Sequence, residues 1–305
     1  MSRVVKIIIG VIAVLAAAFF VFRTPDIPME EIKTKYADEA SQYIQVDGLN
    51  VHYKQEGSGP NLLLLHGTAA SLHTWDGWVN ELKNDFRITR LDLPAFGITG
   101  AHPDGDYSMD FYITFLDKFI SQLELDTIFL AGNSLGAGIS WSYTLNHPDK
   151  VKKLILLDAA GYPSGETPFV FKLAKNDITA GLLKNITPRS FIEKNIKEVY
   201  YDDSKITEKL IDRYYELALA QGNRQAFVDR ARTQMTYEYD RILEIKTPTL
   251  IMWGQYDEWI NVDNAHSFDL DLPNSELTIY ECGHMPMEEL PAQTAMDARG
   301  FLTME

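Results

Sequence analysis

The sequence predicts an α/β fold: a mostly parallel central sheet with helices on both faces and one inserted helical cap. Three observations carry that expectation. Short apolar runs alternate with longer amphipathic stretches, the pattern of strands buried between two helix layers. Gly132-Asn133-Ser134-Leu135-Gly136 sits where one apolar run gives way to a helical pattern. Residues 161–240 then interrupt the alternation with several helical segments and no convincing strand, a stretch too long for a simple loop.

Taken in order, Val4 to Phe22 is apolar apart from Lys6, with Arg3 ahead of it. As a helix this run would span roughly 28 Å, close to the ~30 Å hydrocarbon core of a bilayer. Residues 1–23 are therefore expected to form a signal anchor, a single-pass transmembrane helix that ties the protein to the membrane. Positive charge before the run and Asp26, Glu30 and Glu31 after it predict a cytoplasmic N-terminus, with the body of the chain on the periplasmic or extracytoplasmic side. The alternative is secretion after cleavage at Ala16-Ala17-Ala18, although Phe19-Phe20-Val21-Phe22 prolongs the apolar run past that site.

Residues 24–41 are charged, carry Pro25 and Pro28, and read as a linker with one short helix. Ile44, Val46, Val51 and Tyr53 alternate around Asp47-Gly48, a hairpin signal. Leu62 to Leu65, Arg87 to Leu91, Thr127 to Ala131, Leu154 to Leu157, Thr249 to Trp253 and Leu277 to Tyr280 read as buried strands. Ser108 is placed to cap a helix with apolar residues at 112, 113, 116, 119, 120 and 123. In the insertion, Thr187-Pro188 reads as an N-cap followed by proline in the first turn, and Ile206 to Leu219 carries a helical stripe. The expected organisation is a core of residues 42–160 and 241–305 with a cap over residues 161–240.

Composition narrows the function. With 28 Lys and Arg against 43 Asp and Glu, the formal net charge is −15, and no basic patch stands out. Nucleic acid is not an expected partner. Cys282 is the single cysteine, so neither an intramolecular disulfide nor a cysteine-based metal site is supported. No metal-ligand spacing, phosphate loop or dinucleotide fingerprint appears, and no cofactor or metal is expected.

The Gly-x-Ser-x-Gly run between strand and helix is the local signature of a nucleophile elbow, which holds Ser134 exposed on a sharp turn. A serine hydroxyl needs a base to take its proton and a third group to orient that base. His284, on the loop after the last expected strand, is the candidate base. Asp257, on the loop after the preceding strand, is the candidate acid, with Glu258 beside it and Asp158, after Leu157, as alternatives. A developing oxyanion also needs donors, for which the N–H groups of Leu135 and of Thr68 in Leu65-His66-Gly67-Thr68 are placed. His66 reads as a structural residue of that loop, and His73, near Trp75 and Trp78, as packing or pocket wall.

From about residue 42 to the end the chain resembles the α/β-hydrolase fold superfamily. The likeness rests on His66-Gly67-Thr68, Leu93-Pro94-Ala95-Phe96-Gly97, the elbow at Ser134, Gly254-Gln255-Tyr256-Asp257 and Gly283-His284. It is most similar to bacterial esterases and lipases of the lipase family V type. That resemblance implies a serine carboxylic ester hydrolase acting on apolar acyl esters, small-molecule or lipid, through an acyl-serine intermediate. The cap would then choose the acyl chain through apolar residues such as Phe169, Phe171 and Leu173. Ala95 departs from the pattern where glycine is usual, as does Ala137 after the elbow. Two other readings compete. One is a carbon–carbon bond hydrolase of ring-fission products, for which Arg189, Arg224, Arg230 and Arg232 could hold an acidic substrate. The other is a non-catalytic ligand receptor or interaction module on the same fold.

Overall fold

A computed structural model of the chain describes residues 2–163 and 167–304, with the backbone alone for residues 11–18. Helices α1 (Arg3–Phe22) and α2 (Met29–Tyr36) precede the hairpin of β1 (Ser41–Val46) and β2 (Leu49–Glu56). The hairpin turn is Asp47-Gly48, both at positive φ (49° and 79°), the backbone a two-residue turn demands. Next come β3 (Asn61–Leu65), α3 (Asp76–Leu82), β4 (Arg87–Leu91), α4 (Met109–Gln122), β5 (Ile128–Asn133), α5 (Leu135–Asn146) and β6 (Val151–Leu157). Five helices follow: α6 (Phe169–Lys175), α7 (Asp177–Leu183), α8 (Arg189–Val199), α9 (Glu208–Leu219) and α10 (Asn223–Arg232). The chain closes with β7 (Thr249–Gly254), α11 (Asp263–Asp271), β8 (Ser275–Tyr280), α12 (Pro286–Glu289) and α13 (Pro291–Thr303).

The strands form an eight-stranded sheet in the order β1-β2-β4-β3-β5-β6-β7-β8. Its β1–β2 and β2–β4 pairs are antiparallel and the rest parallel. Central strands read as unbroken apolar runs because both sheet faces are covered. In β3, Leu63 and Leu65 enter one core cluster and Leu62 and Leu64 the other, and all four are fully buried. Ser108 caps α4 as its residue type requires, its Oγ accepting the Phe111 N–H at 3.2 Å.

Two local expectations shift. Pro188 is itself the N-cap of α8, in extended conformation, and the Thr187 hydroxyl turns back to donate to the Leu183 carbonyl. The α9 helix starts at Glu208, where the Thr207 hydroxyl accepts the Leu210 N–H, two residues after the apolar stripe begins.

The membrane anchor is corrected. Among the described residues, no helix is long and apolar enough to cross a membrane. Lys6 breaks the apolar run of α1, and the stretch from Ile7 to Phe22 that follows it is shorter than the ~20 consecutive apolar residues that a bilayer core requires. The single-pass assignment therefore falls, and with it membrane association through this helix and the periplasmic placement built on them. The cleavage alternative at Ala16-Ala17-Ala18 concerns side chains outside the described residues.

Residues 24–27 pack against the inserted helices. Thr24 N–H donates to the Asn185 carbonyl at 2.8 Å, and Ile27 forms a parallel bridge with Ala220. Asp26 pairs with Arg224 at 2.6 Å. The ends of β3, β5, β6 and β7 and the segment after β8 converge beneath α6–α10, so the side chains following these strands meet in one place.

Candidate active site

Ser134 lies between the end of β5 and the first residue of α5, at φ 54° and ψ −115°. A non-glycine residue with this backbone is strained, and the surrounding contacts hold it there. The two flanking glycines make the close approach possible. A Cβ on Gly136 would run into the Leu65 carbonyl, and one on Gly132 into the backbone of Gly136. Leu135 N–H is at the first position of α5, where an α-helix offers no internal acceptor. Thr68 lines the same cavity as Ser134, and a Cβ on its neighbour Gly67 would lie 3.1 Å from Ser134 Cβ.

His284 is brought to the same cavity by the loop after β8. Its N–H donates to the Val199 carbonyl, its ring is tilted over Trp259 at 5.7 Å, and its side chain is almost wholly buried. Nδ1 contacts Asp257 Oδ2 at 2.7 Å. A proton held on Nδ1 by that carboxylate leaves the Nε2 lone pair free to accept. The other oxygen, Asp257 Oδ1, accepts the N–H groups of Trp259 (2.7 Å) and Ile260 (2.9 Å), which fix the carboxylate. Glu258, the neighbouring alternative, is exposed and makes none of these contacts.

The cavity has about 1090 Å³ of empty space, its mouth included. Its walls come from the loops at the strand ends and from α6–α10. Of the apolar residues expected there, none lines it: Phe169 is 55% exposed, and neither Phe171 nor Leu173 reaches the cavity. Val170, Leu183, Phe191, Ile192, Ile196 and Phe227 take that place. The registers differ because each helix presents whichever stripe its docking dictates.

Family membership follows from the sequence over this framework, which matches the model of the alpha/beta hydrolase fold along residues 60–291. The chain belongs to the α/β-hydrolase family. It is a hydrolase, and it is similar to relatives of two kinds. It is 27% identical over 273 residues to a 2-hydroxy-6-oxo-6-(2'-aminophenyl)hexa-2,4-dienoic acid hydrolase of Metapseudomonas resinovorans, covering 86% of this chain and 90% of that protein. Among solved structures it is similar to a membrane phospholipase A described as a bacterial virulence factor (TM-score 0.76, 25% identity, 97% of each chain). A serine hydrolase involved in carbazole degradation is alike to a similar degree (TM-score 0.75, 25% identity, 87% of this chain and 99% of that one).

Asn133 of this α/β-hydrolase carries a role that the sequence pattern does not signal. Asn133 Nδ2 donates to the carbonyls of His284 (3.0 Å) and Leu157 (3.3 Å), joining the elbow strand to the histidine loop. Ala95 lines the cavity with φ 88°, so the departure from glycine is accommodated at the cost of backbone strain. Ala137 is fully buried in the sheet–helix core. His66 braces its loop as expected, with Nε2 accepting the Leu93 N–H and Nδ1 donating to the Gly67 carbonyl. Burial holds its pKa below the ordinary histidine value.

A second Ser–His–Asp contact set lies elsewhere in the sheet. His52 Nδ1 meets Asp92 Oδ2 at 2.8 Å and its Nε2 meets Ser41 Oγ at 2.8 Å. None of the three lines the cavity, and Ser41 Oγ is already used by the Asp38 N–H. Asp92 also accepts the N–H groups of Leu72 and Ile98. This set braces loops. Among the described residues, the one group with metal-ligand geometry is Asp158, Asp257 and His284, whose donor atoms lie within 4.8 Å of one another. Asp257 and His284 already satisfy each other there, so the donor set favours hydrogen bonding over an ion.

Proposed function

We propose that this α/β-hydrolase is a serine carboxylic ester hydrolase for apolar acyl esters. The observation that carries the reading is that Ser134 and His284 open into one largely apolar cavity while Asp257 holds the buried edge of the histidine. Ser134 Oγ attacks the ester carbonyl as His284 Nε2 takes its proton. The tetrahedral oxyanion is held by the N–H groups of Leu135 and Thr68. Collapse expels the alcohol, which receives the proton from His284, and leaves an acyl-serine. Water then attacks with the same base, the acid leaves, and Ser134 regains its proton. Asp257 keeps the imidazole in the accepting tautomer and stabilises the imidazolium that forms. The helices α6–α10 act as a cap whose apolar wall receives the acyl chain.

The carbon–carbon hydrolase reading draws support from the dienoic acid hydrolase relative. Its substrate is anionic and calls for a free cation at the cavity. Among the described residues, Arg224 is the one arginine of the lining, and its guanidinium is committed to Asp26 and to the Thr24 carbonyl. Arg189 pairs with Asp212 and Glu208, Arg232 pairs with Asp177, and Arg230 is not in the lining. These pairings favour a neutral apolar ester.

The test is turnover of p-nitrophenyl esters of increasing acyl length, alongside a ring-fission dienoate, by the wild type and Ser134→Ala. Ester hydrolysis that disappears in the variant is the expected result. Dienoate cleavage without ester turnover would replace this reading with the second, and undiminished ester turnover by Ser134→Ala would remove Ser134 as nucleophile.

A further inference from the structure

We propose that Asp158 is a neutral carboxylic acid whose hydroxyl donates to Asp257, which makes it a positioning residue for the Asp257–His284 pair. The proposal rests on the reading of those two residues as orienting acid and base. Asp158 follows β6 directly, at φ 45°, with its N–H donating to the Met252 carbonyl. The side chain is completely buried. Its Oδ1 accepts the Gly254 N–H at 2.9 Å, whereas Oδ2 meets no donor among the described residues. The Asp158 carboxylate lies against the Asp257–His284 pair, with one donor atom from each of the three residues within 4.8 Å of the others.

An ionised Asp158 would place a second buried negative charge against Asp257 with one oxygen unpaired, an arrangement that strongly favours protonating one of the two. The acceptor inventory says which. Asp257 already takes three N–H groups, from Trp259, Ile260 and His284, all of which favour its charged form. A carboxylate has about four acceptor sites, which leaves one for an O–H. Asp158 takes a single N–H, so the proton belongs there. The other titratable groups facing it are Glu289 and the Cys282 thiol. Glu289 is satisfied by the N–H groups of Gly283, Tyr201 and Asp202, and offers no compensation. His284 alone could offset a negative charge, and its Nδ1 is given to Asp257. Burial first, and then the charge of Asp257, push the Asp158 carboxyl well above the ordinary carboxylate range. An O–H donor on the far side of Asp257 keeps its Oδ2 aimed at the imidazole without adding charge to the site.

The experiment compares wild type, Asp158→Asn and Asp158→Ala on one p-nitrophenyl ester across pH, with melting curves to establish folding. Asparagine keeps both a donor toward Asp257 and an acceptor for Gly254, so Asp158→Asn should retain kcat within about twofold and leave the acidic limb of kcat/KM in place. Asp158→Ala should lose about tenfold or more in kcat with KM unchanged, the cost of a hydrogen bond to a charged group. A downward shift of the acidic limb in Asp158→Asn, by about one pH unit, would mean that a negative charge near His284 had been removed, and would overturn the proposal. Wild-type kcat in Asp158→Ala would overturn it too. Infrared difference spectra at pH 7 between wild type and Asp158→Asn give a readout free of catalysis. A protonated-carboxyl C=O band that vanishes in the variant is expected, and its absence from the wild type overturns the assignment. That band also decides the matter if Asp158→Ala does not fold or if the wild type turns over no ester, in which case the triad reading fails separately.

Discussion

Asn133 Nδ2 donates to the His284 carbonyl at 3.0 Å across a sequence separation of 151 residues. The residue just before the proposed nucleophile therefore grips the loop of the proposed base, and the same amide holds the Leu157 carbonyl at the end of β6. Two strand ends and the loop after β8 are registered to one another by a single buried side chain. Asn133→Ala orphans the buried His284 carbonyl, while that of Leu157 keeps the Ser134 N–H, and should cost about 1–3 kcal/mol of stability. Ester kcat should fall more than KM changes, because alignment rather than binding is lost; chemical denaturation and steady-state kinetics on one variant check both.

Asp257→Asn should fold and bind substrate, yet lose about 10⁴ in kcat, since an amide lets the imidazole settle in the wrong tautomer. Glu258→Gln, at the exposed neighbouring position, should leave turnover unchanged. Equal losses in the two variants would take the orienting role away from Asp257.

The contact set Ser41–His52–Asp92 has the residue types of a triad without a cavity. A fluorophosphonate probe should therefore label the protein at Ser134 alone. Labelling should vanish in Ser134→Ala and persist in Ser41→Ala, as intact-mass measurement will show.

Acid should weaken the fold through His73. Its Nε2 lies 3.1 Å from the Tyr36 carbonyl and its Nδ1 lies 3.2 Å from Ser71 Oγ, bonds that the neutral ring makes with one donor and one acceptor. Burial lowers its pKa from 6.5 to about 4, against Asp92 and Asp76, which favour the charge, and with Arg213 and Lys54, which oppose it. The folded value is the depressed one, so the unfolded chain binds the proton first as pH falls. Stability from this group is full above about pH 6.5 and is lost as pH falls toward 4. His73→Gln should flatten the fall in melting temperature across that window.

Ala95 is held at φ 88° on the cavity wall. Ala95→Gly should relieve about 1 kcal/mol of left-handed strain and raise the melting midpoint, despite the added freedom of the unfolded chain. A lower midpoint would show that packing of the methyl outweighs the strain.

The sheet is legible in the sequence because strands buried on both faces read as continuous apolar runs, as Leu62 to Leu65 does. The approach of His284 to Asp257 is legible too, since both follow strands that end at the same sheet edge. What lies beyond reach is set by distant partners. Asn133 and His284 lie 151 positions apart. The pairing of His52 with Asp92 depends on how β2 and β4 register. On α6, Phe169 is exposed while Val170 lines the cavity, and a step of one residue turns a side chain by about 100° around a helix. Only docking decides which of the two faces inward.

The Asp26–Arg224 pair has a consequence for how selectivity could be altered. Arg224 is the arginine of the cavity among the described residues, and the carboxylate that quiets it comes from a position ahead of the family-matched stretch 60–291. Under the proposed ester reading, the preference for neutral over anionic substrates would rest on a residue remote in sequence from every catalytic candidate. Exchanging Asp26 for an uncharged residue would unmask a guanidinium inside an otherwise intact chamber. One edit outside the hydrolase body would then be enough to invite carboxylates in.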